Sequence, residues 1–373
     1  MKKILVTGGA GFIGSYIVDY LIEAGNEVVI FDNLDPQVHP NGKKPDFLNS
    51  NAQFISGDVR DLEALKKAVA GAEQVYHMAA AVGVGQSMYQ IAHYVDVNTG
   101  GTANLLDVLT NIKNKVEKVV VAASMSSYGE GRYHCSTHGI LNPDLRPVSQ
   151  MQTGDWEVHC PDCGELMSPL PTDEEKPQIC NSIYALTKKD QEEMTLMWGK
   201  SYDIPTTALR FFNVYGPRQS LSNPYTGVCA IFMSRIKNDN RPVIYEDGLQ
   251  TRDFISVKDI ARACIESMNN SKADHQVFNV GTGKATSIND VAQTLAKIYG
   301  KDIEPDITKA FRKGDVRHCI SDPSKIEDAI GFRPQADFQS GMEELIKWTE
   351  NAAAEDHFDK AASELADKGL IVE

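Results

Sequence analysis

No stretch of this chain is apolar for long enough to cross a bilayer, which takes ~20 consecutive apolar residues. Met1-Lys2-Lys3 leads directly into a strand-like run, without the hydrophobic region and cleavage site of a secretory leader. Basic charge is in deficit: 37 Lys and Arg stand against 51 Asp and Glu, a formal charge of −14. Such a surface repels polyanions and argues against nucleic-acid and membrane partners. It leaves room for a local basic pocket that takes a phosphorylated ligand. Cysteine is sparse and odd in number, seven in 373 residues, which fits reduced thiols and a cytoplasmic location better than a disulfide framework. Long internal repeats and low-complexity tracts are absent too. What remains is an ordinary apolar content, 42%, enough for one large α/β domain or two domains.

Glycine is concentrated where a phosphate can use it. Ile4-Leu5-Val6 reads as a buried parallel strand and runs into Thr7-Gly8-Gly9-Ala10-Gly11-Phe12-Ile13-Gly14-Ser15, then into helical spacing at Phe12, Ile13, Ile17, Val18, Leu21 and Ile22. Strand, tight turn and helix N-terminus together make a pyrophosphate site, because glycine permits close approach and the unpaired helix N–H groups attract anions. The spacing, Gly8-x-x-Gly11-x-x-Gly14, differs from the standard Gly-x-Gly-x-x-Gly, and a glycine turn can also be only a turn. A second strand, Val28-Val29-Ile30-Phe31, ends at Asp32, eighteen residues after Gly14 (32 − 14). A carboxylate there can accept the adenosine ribose hydroxyls and repels a 2′-phosphate, so NAD is preferred to NADP.

Strands and helices continue to alternate, which predicts a Rossmann-type doubly wound parallel sheet in a 1–212 nucleotide-binding unit. Further strands end near Asp58, at Ala79-Ala80-Ala81 and at Ser124, and a long helix is expected through Val97, Asn98, Leu105 and Val108. Ligands in such sheets sit beyond the carboxyl ends of the strands. Residues 131–180 break the pattern and read as a Cys/His-rich insertion. A smaller α/β unit is expected over 213–350, interleaved with the first, and a helical tail over 351–373. In that tail Phe358, Ala361, Ala362 and Leu365 share one helix face.

Tyr184 and Lys188 lie four apart, on one face of a predicted helix. A free phenol, with a pKa near 10, is a poor base at neutral pH; a nearby ammonium favours its ionised form. Ser124 can share the proton of a substrate hydroxyl. The bland reading is a surface Lys beside a core Tyr.

With these motifs in place the chain resembles the extended short-chain dehydrogenase/reductases, in the nucleotide-sugar epimerase and dehydratase group. The matching pieces are Thr7–Gly14, Asp32-Asn33, Gly57-Asp58-Val59, His77-Met78-Ala79-Ala80, Asn98, Ser124–Gly129, Tyr184-x-x-x-Lys188, Leu209–Arg218, Thr251–Ile255, Asn279–Gly281 and Arg312–Asp315. The resemblance implies that Gly8, Gly11, Phe12, Ile13 and Gly14 hold the pyrophosphate of NAD. Asp32 and Asn33 would take the adenosine ribose, Asp58 and Val59 the adenine, and Ala79, Ala80 and Asn98 the nicotinamide side. It implies Tyr184 as base, Lys188 on the nicotinamide ribose, and Ser124 and Ser126 on the sugar hydroxyl. Asn213, Arg218, Arg252 and Arg312 would hold a nucleotide sugar, chiefly its diphosphate. Arginine suits that task because its guanidinium is forked and always charged, although any of the arginines could be a surface ion pair instead.

Family dehydratases carry an Asp-Glu pair after the serine, to eliminate water. Here those positions are Met125 and Ser126, which favours 4-epimerisation. In the insertion, Cys135-Ser-Thr-His138 and Cys160-Pro-Asp-Cys163 have the spacing of a closed tetrahedral Zn²⁺ site, with His134 and His159 as competing ligands and free thiols as the alternative. The module is expected to pack beside the sugar pocket and restrict entry. A zinc-ribbon insertion of this kind is similar to that of the bacterial dTDP-L-rhamnose 4-epimerase group, which implies dTDP-L-rhamnose and dTDP-6-deoxy-L-talose as the substrate pair, with UDP-hexoses as the competitor. The resemblance also implies a homodimer, through the helices around 98–110 and 184–200. A net oxidoreductase, or a nucleotide-sensing binding protein on the same fold, are the other readings.

Overall fold

The computed structural model describes residues 1–350 and 355–372; residues 351–354 and 373 of the expected tail lie outside the described residues. Seven parallel strands form the central sheet: β1 (Lys3–Thr7), β2 (Glu27–Asp32), β3 (Gln53–Ser56), β4 (Gln74–His77), β5 (Lys118–Ser124), β6 (Thr206–Phe211) and β7 (Gln276–Val280). They lie in the order β3-β2-β1-β4-β5-β6-β7, a doubly wound Rossmann-type arrangement whose order reverses between β1 and β4. The inner strands β1, β2 and β5 are near-continuous apolar runs because both faces are covered, and every residue of β5 and β6 is buried, whereas β3 at the sheet edge is part-exposed.

One face packs under α1 (Phe12–Glu23) and, from much later in the chain, α6 (Val257–Asn269), with Ile17, Val18, Leu21, Ile260 and Cys264 in the shared core. The other face carries α2 (Leu62–Val69), α3 (Gly101–Asn111) and α4 (Ile183–Ser201), joined through Leu65, Leu105, Leu109 and Trp198. The expected long helix before α3 is not a single α-helix. A π-helical stretch, Val95–Gly100, precedes α3 and turns the Asn98 side chain inward.

A second core gathers α5 (Val228–Lys237), α7 (Ile288–Ile298) and α8 (Phe338–Thr349) around Phe232, Met233, Val291, Leu295 and Leu345. Short strands Asn213–Tyr215 and Phe254–Ser256 pair in parallel beside the main sheet. The insertion is a three-stranded antiparallel sheet, Gly139–Leu141, Arg132–Cys135 and Ser168–Leu170. The tail adds α9 (Phe358–Asp367) and the strand Ile371–Val372, which pairs with Phe311–Arg312. No described helix is long and apolar enough to cross a membrane.

Candidate active site

A cavity of about 640 Å³ runs along the carboxyl ends of the strands, between the sheet and the second core. Its nucleotide half begins at the glycine turn. Gly8 has φ of +68°, and a Cβ there would lie 2.8 Å from the Ala79 nitrogen; a Cβ on Gly14 would strike the Gly8 carbonyl oxygen. Neither position admits a side chain, so the turn stays flat enough for a pyrophosphate against the start of α1. Asp32, the last residue of β2, is buried. Its carboxylate accepts the Ala10 N–H (3.0 Å) and the Leu34 N–H (2.9 Å), leaving lone pairs for ribose hydroxyls. Asp58 accepts from Asn33 Nδ2 at 2.9 Å and from the Arg60 guanidinium, which holds its carboxyl down at about 2. The glycines, Phe12, Ile13, Asp32, Asn33, Asp58, Val59, Ala79 and Ala80 all line the cavity, so the donor and acceptor set fits NAD.

Asn98 stands behind the wall. It accepts the Ala81 N–H at 2.7 Å, donates to the Ala81 carbonyl at 3.1 Å and to Thr187 Oγ1 at 3.0 Å. It therefore fastens the β4 exit to α4 and is absent from the cavity lining.

The reactive cluster forms where β5 ends against the start of α4. Ser182 caps α4, accepting the Ala185 N–H at 3.1 Å. Tyr184 thus lies in the first turn, where the helix dipole favours an anion. Ser124 Oγ accepts from Ser126 Oγ at 2.9 Å and lies beside Tyr184. Burial pushes the Tyr184 phenol up from its ordinary value, and the neighbouring Ser124 hydroxyl pulls it down. One turn on, Lys188 is 4% exposed and burial drives its ammonium down to about 7, opposed by Glu192. Lys188 Nζ donates to Gln191 Oε1 at 2.7 Å; Gln191 Nε2 donates to Thr102 Oγ1 at 2.8 Å, and Thr102 meets His77 Nε2 at 3.0 Å. Burial and the neighbouring Lys188 hold His77 down at about 3, so it stays neutral. Sequence reasoning missed Gln191, Thr102 and His77 as the support behind Lys188. Their only signal was His77 closing β4 within the His-Met-Ala-Ala run.

Met125, Ser126, Asn213, Arg252 and Arg312 line the other half of the cavity. Arg252 spends its hydrogen bonds on the backbone carbonyls of Thr251, Val316 and Arg317, with no carboxylate at ion-pair distance among the described residues. Its charge is left for an anion. Arg312 is paired with Asp315 and lies over the Tyr245 ring. Arg218 is not in the lining. Its guanidinium bonds Asp19 at 2.7 Å and stacks on Tyr16, so the structure does not bring it to the other arginines. Four lining side chains, Asn181, Asn213, Gln219 and Gln250, each carry a buried amide atom without a hydrogen-bond partner among the described residues. Unpartnered buried amides are costly, and their convergence in one cavity marks a site for a polar ligand. Only Asn213 of the four was expected from the sequence.

In the insertion, the ligand atoms of Cys135, His138, Cys160 and Cys163 all lie within 4.8 Å of one another. Cys135 Sγ is 3.6 Å from Cys163 Sγ and 3.7 Å from His138 Nδ1, and Cys160 Sγ is 3.4 Å from His138 Nδ1. Tetrahedral zinc with S and N ligands asks for edges of roughly 3.5–3.8 Å, from its ~2.3 and ~2.0 Å bonds. The four residues therefore fit a zinc ion. His134 is outside this cluster, and His159 bonds Asp155 and Gly164 instead, so neither competes. The position of the module corrects the expectation of a sugar-pocket gate: no residue of 131–180 lines the cavity. The module grips the wall from behind. Buried Arg146 forks onto Glu246, which does line the cavity, and buried Arg317 joins Glu246, Asp247 and Glu157.

Residues 4–150 match the NAD dependent epimerase/dehydratase family, and residues 164–345 match the GDP-mannose 4,6 dehydratase family. The chain is 37% identical over 350 residues to dTDP-L-rhamnose 4-epimerase of Burkholderia thailandensis, covering 93% of this chain and 94% of that one. UDP-glucose 4-epimerase of Thermotoga maritima, solved with UDP-glucose, superposes with a TM-score of 0.77 at 32% identity over 93% of this chain and 98% of that one. UDP-glucuronic acid 4-epimerase of Bacillus cereus, solved with UDP-glucuronic acid and NAD, gives 0.77 at 27% identity, covering 94% and 100%. A glycine turn sealed against side chains, an acid closing β2 and a Ser-Tyr-Lys cluster across the cavity agree with those matches along nearly the whole chain: it belongs to the NAD-dependent epimerase/dehydratase family, among the nucleotide-sugar 4-epimerases of the extended short-chain dehydrogenase/reductase type.

Proposed function

We propose that this chain interconverts the C4 epimers of a nucleotide sugar with Tyr184 as the base, and that the pair is dTDP-L-rhamnose and dTDP-6-deoxy-L-talose. The observation that carries the reaction is the convergence of Ser124, Tyr184 and Lys188 on the cavity wall at the meeting point of its two halves. Tyr184 takes the proton of the C4 hydroxyl and later returns it, while Ser124, accepting from Ser126, shares its one hydrogen between the phenolate and the sugar oxygen. NAD, when bound, would supply the redox chemistry, taking the C4 hydride in its oxidised form and returning it from its reduced form to the other face of the 4-keto sugar. Lys188 would favour the phenolate and hold the nicotinamide ribose. Arg252 and Arg312 hold the diphosphate, and the unpartnered amides take sugar and base. Met125 and Ser126 leave the site without the carboxylates that water elimination needs. The 37% identical Burkholderia relative and a fitting zinc quartet support the deoxyhexose pair. UDP-hexoses remain the second reading, supported by the UDP-glucose-bound neighbour. Zinc held by Cys135, His138, Cys160 and Cys163 has no open position and is structural.

The assay is direct. Purified protein given dTDP-L-rhamnose is expected to yield the talose epimer with no net change at 340 nm, and UDP-glucose is expected to turn over far more slowly. Stoichiometric NADH would identify a net oxidoreductase instead.

A homodimer accounts for apolar residues left in solvent on the elements around α3 and α4: Val95, Leu186 and Met197, the last 64% exposed. Light scattering is expected to give twice the chain mass, and Met197→Asp to halve it. A monomeric wild type would discard the dimer.

A further inference from the structure

The tail lies across the cavity. Phe358, Ala361, Ala362 and Leu365, the apolar face of α9, all line it. The segment is fastened at three places. At its start, Arg235 of α5 bonds Asp359 at 2.9 Å, and Asn240 bonds Asp356 at 2.8 Å. In its middle, Glu364 accepts from Tyr225 at 2.7 Å and from Tyr89 at 3.1 Å, and those two hydroxyls lie 2.5 Å apart. At its end, Ile371–Val372 pairs with Phe311–Arg312, the strand that aims Arg312 at the cavity. Tyr89 belongs to the segment after β4, whereas Arg235, Tyr225 and Arg312 belong to the opposite wall. The tail therefore bridges both sides of the cleft. Its approach to the β4 side is close: a Cβ on Gly85 would lie 3.2 Å from Leu365 Cδ2.

Resting on the nucleotide-sugar reading above, we propose that residues 355–372 are a latched lid over the sugar-nucleotide half of the cavity, with Phe358 and Leu365 touching the ligand and Glu364 as the latch. The inner face of the lid offers no hydrogen bond, so it shelters an apolar part of the ligand. The anchors on α5 and on the Arg312 strand keep the lid attached while the Glu364–tyrosine contact, the one that crosses to the β4 side, opens and shuts. Glu364 is the sensitive element because one carboxylate oxygen accepts both hydroxyls, and hydrogen bonds to a charged group are the stronger kind.

The test reads ligand exchange. Thymidine diphosphate and uridine diphosphate are titrated into the full-length NAD-loaded protein, and their release is followed by stopped flow. Glu364→Ala and Leu365→Ala are expected to weaken binding of the preferred diphosphate and speed its release by about tenfold. Tyr89→Phe, outside the tail, should shift both in the same direction. NAD content should stay at the wild-type value in all three, and in Tyr89→Phe, which truncates no buried apolar side chain, the melting temperature should stay there too. Wild-type affinity and release in all three variants would overturn the lid and leave the epimerase reading standing. A wild-type protein that binds neither diphosphate would overturn the nucleotide-sugar reading and the lid with it.

Discussion

Tyr184→Phe is expected to lower kcat for epimerisation about 10³-fold while leaving NAD content and substrate KM close to wild type. The variant removes one hydroxyl and nothing that binds. The glycine turn, Asp32 and Asp58 stay in place for the proposed dinucleotide, and Arg252 with the converging amides still lines the other half of the cavity. What is lost is the proton acceptor, and positioned proton transfer is worth roughly 10²–10⁴-fold. The pH profile sharpens the test. Only the phenolate accepts a proton, so kcat/KM falls as pH drops through the Tyr184 pKa. In the free protein burial sets that pKa high, with Ser124 opposing, while burial holds Lys188 near 7. Each group is costly to ionise alone, and in the proposed mechanism an ammonium one turn from the phenol makes the phenolate cheaper. Lys188→Met withdraws that help, so the acidic limb should move to higher pH and the deficit should be larger at pH 7 than at pH 9. Turnover by Tyr184→Phe at the wild-type rate would remove Tyr184 from the base role. A limb that stays put in Lys188→Met would remove Lys188 from its own.

The glycine turn and its strand were legible because backbone geometry leaves a mark in sequence: no other residue survives where Gly8 sits at φ +68° against Ala79. Asp32, Ser124, Tyr184 and Lys188 were legible by register, each at a strand end or on a helix turn. The Cys/His quartet was legible by spacing. Convergence was not. Gln219 and Gln250 reach the cavity from loops whose path no periodicity encodes. Arg218 follows a family motif, yet its left-handed backbone, φ 72°, and its stacking on Tyr16 send the guanidinium to Asp19. Asn98 was read on a plain helix; the π-helical stretch buries it behind Ala81. The face of α9 was visible at 358, 361, 362 and 365, but a face does not say what it covers.

The second large effect is expected at the zinc quartet. The core of the insertion is small, Tyr133, Cys135, Val158, Cys160 and Met167 with Leu141 packed against them, and two of those residues are the proposed ligands. A unit this size cannot bury enough apolar surface to hold itself and needs a staple. Its outer side carries Arg146 and Glu157 into a buried cluster with Glu130, Glu246 and Arg317. Buried charges tolerate no slack, since removing one partner of such a pair costs about 3–5 kcal/mol. Loss of the metal should therefore loosen the module and, through Arg146, the Glu246 wall of the cavity. The purified chain is expected to hold one zinc. Cys160→Ala should hold none, melt several degrees lower and show a raised KM for the sugar nucleotide, with NAD content unchanged because no ligand residue touches the dinucleotide half. A strong chelator should reproduce the shift in the wild type. A zinc-free chain whose melting ignores the chelator would mean that four thiol and imidazole groups this close are held by packing alone, and the charge cluster, not the metal, would then be what fixes the module to the wall.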